Sequence, residues 1–210
     1  MSVNRTISVL AVTLALVAGP VGASAAGKSG IKGPAASSIA EQTLSAVEVD
    51  NLMYMREEEK LARDVYLTMF DAWGLAVFDN IAASEQTHTD SVKDMIEKYR
   101  LADPVVDDSI GVFVNQELAT LYAKLIARGT QSSLEALHVG AYIEEVDMVD
   151  LARAIEATDN ADIRQLYENL MSGSRNHLRA YVGQIENLGV VYEAQYLSQD
   201  EVDAIVDSPI

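Results

Sequence analysis

Four long segments of this chain carry apolar stripes with steps alternating between three and four residues, and polar or ionisable side chains interrupt every stripe. The first stripe reads Leu52, Met55, Glu59, Ala62, Tyr66, Met69 and Trp73; the second reads Phe78, Ile81, Glu85, His88, Val92, Met95 and Tyr99. The third is Leu134, Leu137, Ala141, Glu144, Met148, Leu151 and Ile155. The fourth is Ile163, Tyr167, Leu170, Ser174, His177, Tyr181, Gln184 and Leu188. Stripes of this period belong to helices packed at shallow angles. Alternating β-branched runs are nearly absent, so the expected class is all-α, a bundle of four helices. Glu59, Glu85, His88, Glu144 and His177 then fall on core positions, where ionisable groups without partners are strongly unfavourable. A metal ion at a common centre would satisfy all five together.

Turn and cap residues set the element bounds. Helices are expected over 45–73, ended by Gly74, and over 77–99, with Asp103-Pro104 stopping the chain beyond. The following stretch to residue 129 is too long for a tight turn. It reads as a crossover connection with an acidic turn (Asp107, Asp108) and a short helix over 115–127. A third long helix is expected over 132–157, then a break and cap at Thr158-Asp159-Asn160, then a fourth to residue 188. Ser198-Gln199-Asp200-Glu201 is a capping box opening a short C-terminal helix to residue 206. Residues 45–206 thus read as one domain. Its halves echo each other: Glu59 precedes Glu85 and His88 as Glu144 precedes Ser174 and His177. One helical hairpin used twice explains the match.

Residues 1–25 have a different character. Arg5 precedes an apolar run from Ile7 to Ala18, Pro20 and Gly22 break it, and Ala23-Ser24-Ala25 offers a cleavage site for a signal peptidase. The apolar run falls short of the roughly 20 residues a membrane span needs. A cleaved signal peptide is expected, with a retained N-terminal anchor as the alternative, and residues 26–44 read as a flexible linker. The mature protein is therefore expected in the periplasm, the cell envelope or the medium, with no stable membrane insertion. Cysteine is absent, which excludes disulfides and thiolate ligands and leaves carboxylate and imidazole as metal donors. The formal net charge of −17 repels nucleic acid and anionic lipid and attracts cations. Plain solubility is the other reading of that charge.

Carboxylate centres in four-helix proteins take one Glu from each of two helices and a Glu-x-x-His pair from each of the others. Glu85-Gln86-Thr87-His88 is such a pair, with both groups on one helical face. Glu59 and Glu144 are the lone glutamates, and His177 supplies the fourth helix's imidazole. Two iron or manganese ions suit this oxygen and nitrogen set. Ser174 stands three before His177 where the second pair would have Glu, which weakens one ion's site. Glu145, Asp147 and Glu58 lie near seams and are candidates to fill in. Arg63 reads as a surface ion pair or a support for Glu59, and Tyr66 and Tyr181 as core residues or hydrogen-bond donors to ligands. His138 reads as structural. Ser174 and His177 lack the strand–turn–helix setting of a hydrolase nucleophile. No phosphate loop or dinucleotide fingerprint occurs.

The stretches from Arg56 to Tyr66, Ser84 to His88, Gly140 to Asp147 and Gly173 to Arg179 resemble ferritin-like proteins. More narrowly, they are similar to the family filed as domain of unknown function 2202. Glu59-x-x-Ala62-Arg63-x-x-Tyr66 resembles the opening of rubrerythrin-type helices, and that resemblance assigns Glu59 rather than its neighbours as the ligand. It implies a ferritin-like bundle and di-iron chemistry with oxygen or peroxide: a ferroxidase or peroxidase type of oxidoreductase. A non-catalytic envelope metal binder and a purely structural bundle are the rivals, and a homo-oligomer stays open.

Overall fold

The computed structural model describes residues 44–208. The signal peptide expected over 1–25, and all but the last residue of the linker expected over 26–44, lie outside the described residues. The described residues form six helices and no strand: α1 (Ala46–Trp73), α2 (Ala76–Lys98), α3 (Gln116–Gly129), α4 (Ser133–Ala157), α5 (Ala161–Asn187) and α6 (Gln199–Val206). Side-chain caps open four of them, α1, α3, α4 and α6. Ser45 and Glu48 close a capping box at the start of α1, and Ser198 and Glu201 close the expected one at α6. Asn115 and Ser132 accept amide hydrogens at the starts of α3 and α4. Gly74 ends α1 in the left-handed region (φ 65°), which a residue without Cβ adopts freely.

Helices α1 and α2 pack as one hairpin and α4 and α5 as another. The hairpins meet through α1 against α4 and α2 against α5; α3 lies across α1 and α4, and α6 rests on α5. One apolar core runs through all of them, with Leu52, Tyr66, Phe78, Ile96, Leu151, Tyr167 and Tyr181 fully enclosed. No described helix is long and apolar enough to cross a membrane.

From Met55 to Tyr66 every residue of α1 is buried, charged ones included. These charges strap the crossover onto the helix. Arg56 donates to Asp103 at 3.2 Å and to Thr89, while Lys60 donates to Asp64 at 2.5 Å and to the Ser109 carbonyl at 2.9 Å. The Lys60 ammonium also lies 4.5 Å from the centre of the Phe113 ring. Glu57 accepts the Val114 and Asn115 amides at 2.6 and 3.0 Å. Arg63 departs from expectation: it is buried, and its guanidinium goes to Asp64, Asp108 and Gln86 instead of Glu59. With a covering segment overhead, a helix face rich in Arg, Lys and Glu becomes an interior one.

Candidate metal centre

All five interrupting residues point into the space between the hairpins. Glu59 comes from the middle of α1, Glu85 and His88 from α2, Glu144 from α4 and His177 from α5. His88 Nδ1 lies 2.8 Å from Glu85 Oε2 and 3.3 Å from Glu59 Oε2. His177 Nδ1 lies 2.7 Å from Glu85 Oε1 and 3.5 Å from Glu144 Oε2. Glu85 therefore faces one imidazole with each oxygen, and the two rings stack with centroids 5.3 Å apart. Glu85, His88 and His177 each offer one ligand atom, all within 4.8 Å of one another. Neighbouring donors that are each ~2 Å from a common ion sit about 3 Å apart, which is the spacing these pairs have.

Both Nδ1 atoms are buried and in close ion-pair contact with carboxylate oxygens, with no other hydrogen-bond partner. Glu59 Oε1, Glu58 Oε2 and Asp147 Oδ1 are also buried without a partner. Native interiors rarely leave such atoms orphaned, and a cluster of them calls for an ion. The donor set, carboxylate oxygen with imidazole nitrogen, fits iron or manganese.

The electrostatics agree. Burial pulls the His88 imidazole down, but Glu59 and Glu85 override it and raise its pKa to about 11. Burial likewise opposes His177, which Glu144 and Glu85 raise to about 10. Burial pushes Glu85 up, yet the two imidazoles win and hold it at about 2. Glu59 rises to about 7 through burial, with His88 opposing and the Glu85 carboxylate adding to the rise. Glu144 is raised, chiefly by burial. Asp147 and Glu58 are pushed well up by burial and by the carboxylates around them. Burial thus favours the protonated forms of four crowded acids, and a cation taking the place of those protons would let their carboxylates sit together.

Surrounding side chains hold the donors in place. Tyr66 donates to Glu144 Oε1 at 2.5 Å, and its ring packs on Tyr181 and Phe78. His177 Nε2 lies 2.9 Å from Ser84 Oγ, a contact that leaves Nδ1 toward the carboxylates. Gly173 gives His88 its room, since a Cβ there would stand 2.5 Å from two ring atoms. Gly140 does the same for Tyr181, where a Cβ would stand 2.6 Å from the ring. His88 is the least covered donor, 13% exposed at its side chain against 2% for Glu59 and Glu85. The centre thus comes nearest to solvent between α2 and α5.

Of the three acids offered as substitutes for a glutamate at 174, Glu145 is committed elsewhere. It accepts the Gln195, Tyr196 and Leu197 amides and the Tyr192 hydroxyl, tying the segment before α6 to α4. Asp147 and Glu58 are buried within electrostatic reach of Glu59, and Glu58 also meets Tyr54 and Asp150. His138 stands apart, stacked on Tyr192. Sequence reasoning passed over Gly173, Gly140 and Ser84 as individual residues. Glycine and serine leave no periodic mark, and only the neighbour they accommodate reveals their role.

Residues 48–209 match the family described as "Uncharacterized protein domain (DUF2202)". The chain is 53% identical to uncharacterized protein MJ0754 of Methanocaldococcus jannaschii over 172 residues, covering 82% of this chain and 93% of that protein. The crystal structure of hypothetical protein MJ0754 from Methanococcus jannaschii superposes with a TM-score of 0.78, at 53% identity, over 80% of this chain and 96% of that one. With a match over most of its length and a relative this similar, the chain belongs to the DUF2202 family.

Proposed function

We propose that this chain is an exported, ferritin-like protein whose four long helices form a bundle around a two-metal carboxylate centre, occupied by iron or alternatively manganese. Glu59, Glu85 and His88 would hold one ion, and Glu85, Glu144 and His177 the other. One observation carries the reading: the buried Nδ1 atoms of His88 and His177 stand 2.8 and 2.7 Å from the two Glu85 oxygens, spaced as donors around a common ion would be. The reaction is oxidation of ferrous iron or reduction of peroxide or dioxygen.

Iron bound here supplies a ferrous–ferric couple able to pass electrons to dioxygen or peroxide. The chain does the rest. Its carboxylates offset the extra charge of the oxidised state, and Glu85 holds both positions in one register. Tyr66 fixes Glu144 through a short hydrogen bond, and Ser84 fixes the far side of the His177 ring. Tyr66, Phe78 and Tyr181 close one side of the centre with aromatic surface that excludes water.

The test loads purified protein with ferrous iron anaerobically, desalts it, and adds dioxygen or hydrogen peroxide while near-ultraviolet absorption is followed. Growth of ferric absorption on retained iron supports the oxidoreductase. Retained iron that fails to oxidise reassigns the protein to metal buffering in the envelope. No retained iron or manganese overturns the metal reading and leaves a helical domain with a polar core.

A further inference from the structure

Helix α5 lacks a carboxylate at Ser174, yet the site does not lack one there. Asp147 lies on α4, three residues after Glu144 and so on the same helical face, as His88 follows Glu85 on α2. Asp147 is 5% exposed and meets Ser174 from the other helix of the same hairpin, with Oδ2 2.5 Å from the Ser174 hydroxyl. That hydroxyl has one proton to give. The Leu170 carbonyl, at 3.0 Å, is the more distant acceptor. Oδ1 is buried and has no partner. The charged groups acting most strongly on Asp147 are Glu59, Glu58 and Glu144, two of them proposed ligands. The buried cations of α1 turn the other way: Arg56 to Asp103, Lys60 to Asp64, Arg63 to Asp64 and Asp108. A buried oxygen set between acids, with those cations committed elsewhere, is placed to meet a metal cation.

We infer that Asp147 is a further ligand of the metal centre, its free Oδ1 delivered from α4 to the place that Ser174 leaves open on α5, with Ser174 as its positioning residue. The inference rests on the metal-centre reading above. In effect one carboxylate has moved from the fourth long helix to the third, and a serine has taken its old place to hold it.

Anaerobic calorimetric titration with Mn(II), backed by elemental analysis after desalting, tests this on wild type, Asp147→Asn, Ser174→Ala and the double variant Asp147→Ser with Ser174→Glu. Wild type is expected to take two ions per chain. Asp147→Asn is expected to lose one ion or bind it at least ~10-fold more weakly, and Ser174→Ala to weaken the same ion by a smaller factor. The double variant, which returns the carboxylate to α5, is expected to restore the second ion. Thermal unfolding of the metal-free proteins adds an independent readout. Removing a carboxylate from among others should raise the melting temperature of Asp147→Asn, whereas loss of a merely structural Ser174 contact should lower it. Two ions bound by Asp147→Asn at wild-type affinity, with a lowered melting temperature, would overturn the inference and leave the five-residue centre standing. Wild type that binds no Mn(II) would overturn both.

Discussion

Gly173 has no side chain, yet it decides where a proposed ligand sits. Its α-carbon faces the His88 ring so closely that a methyl group would stand 2.5 Å from Cε1 and Nε2. Gly173→Ala is therefore expected to push the imidazole off its aim at Glu85 and Glu59. Metal affinity should fall by roughly 10-fold or more, and overpacking should destabilise the fold by about 1–3 kcal/mol. Metal titration and urea unfolding measure the two effects, and unchanged affinity would show that the ring tolerates the methyl. The contrast with the proposed ligands explains what could be read in advance. Glu59, Glu85, His88, Glu144 and His177 were legible because each breaks an apolar stripe, and the structure brings these five together. Asp147 was legible only as a neighbour of the seam residue Met148, and its selection over Glu145 needed the loop that Glu145 holds.

Between elements, buried carboxylates act as clasps for backbone that no helix satisfies. Glu48, near the start of α1, accepts from Thr158 and Asn160 in the turn between α4 and α5, as well as from Ser45. Burial pushes its pKa up, but these donors prevail and hold it at about 2, below the ordinary 4.5. Because the folded-state pKa is depressed, the stabilisation is fully present above pH 4.5 and disappears as pH falls toward about 2. Glu48→Gln is expected to be less stable than wild type by about 2–3 kcal/mol at pH 7, with the gap narrowing steadily below pH 4.5 in urea titrations. A gap that did not change with pH would remove the charge from the explanation. Glu57 clasps the crossover in the same way, so Glu57→Gln should speed hydrogen exchange at the Val114 and Asn115 amides while α2 amides keep their protection. Helix bounds could be anticipated to within a residue or two, since caps such as Ser132, Asn115 and Ser198 announce themselves locally. The clasps could not. Arg63 reads as a surface ion pair or a support for Glu59 until a segment far along the chain is laid over it, as over Arg56 and Lys60.

At the largest scale, the described residues build two similar hairpins that enclose acids neither could bury alone, in a chain with net charge −17. On the proposed reading, the polar interior that weakens the metal-free fold is also what recruits the cation, so binding and stability should be linked. Mn(II) at 100 times its dissociation constant is expected to stabilise wild type by about 2.7 kcal/mol per site. Calorimetric melting shows this directly, and Glu85→Ala should lose nearly all of the gain. Metal content per chain bears hardest on the two-metal centre: anaerobic ferrous loading, removal of free iron, then elemental analysis of wild type beside Glu85→Ala. Two irons per wild-type chain and almost none in the variant is the expected result. A wild type that emerges without iron, or a Glu85→Ala chain that keeps as much as wild type, would contradict it.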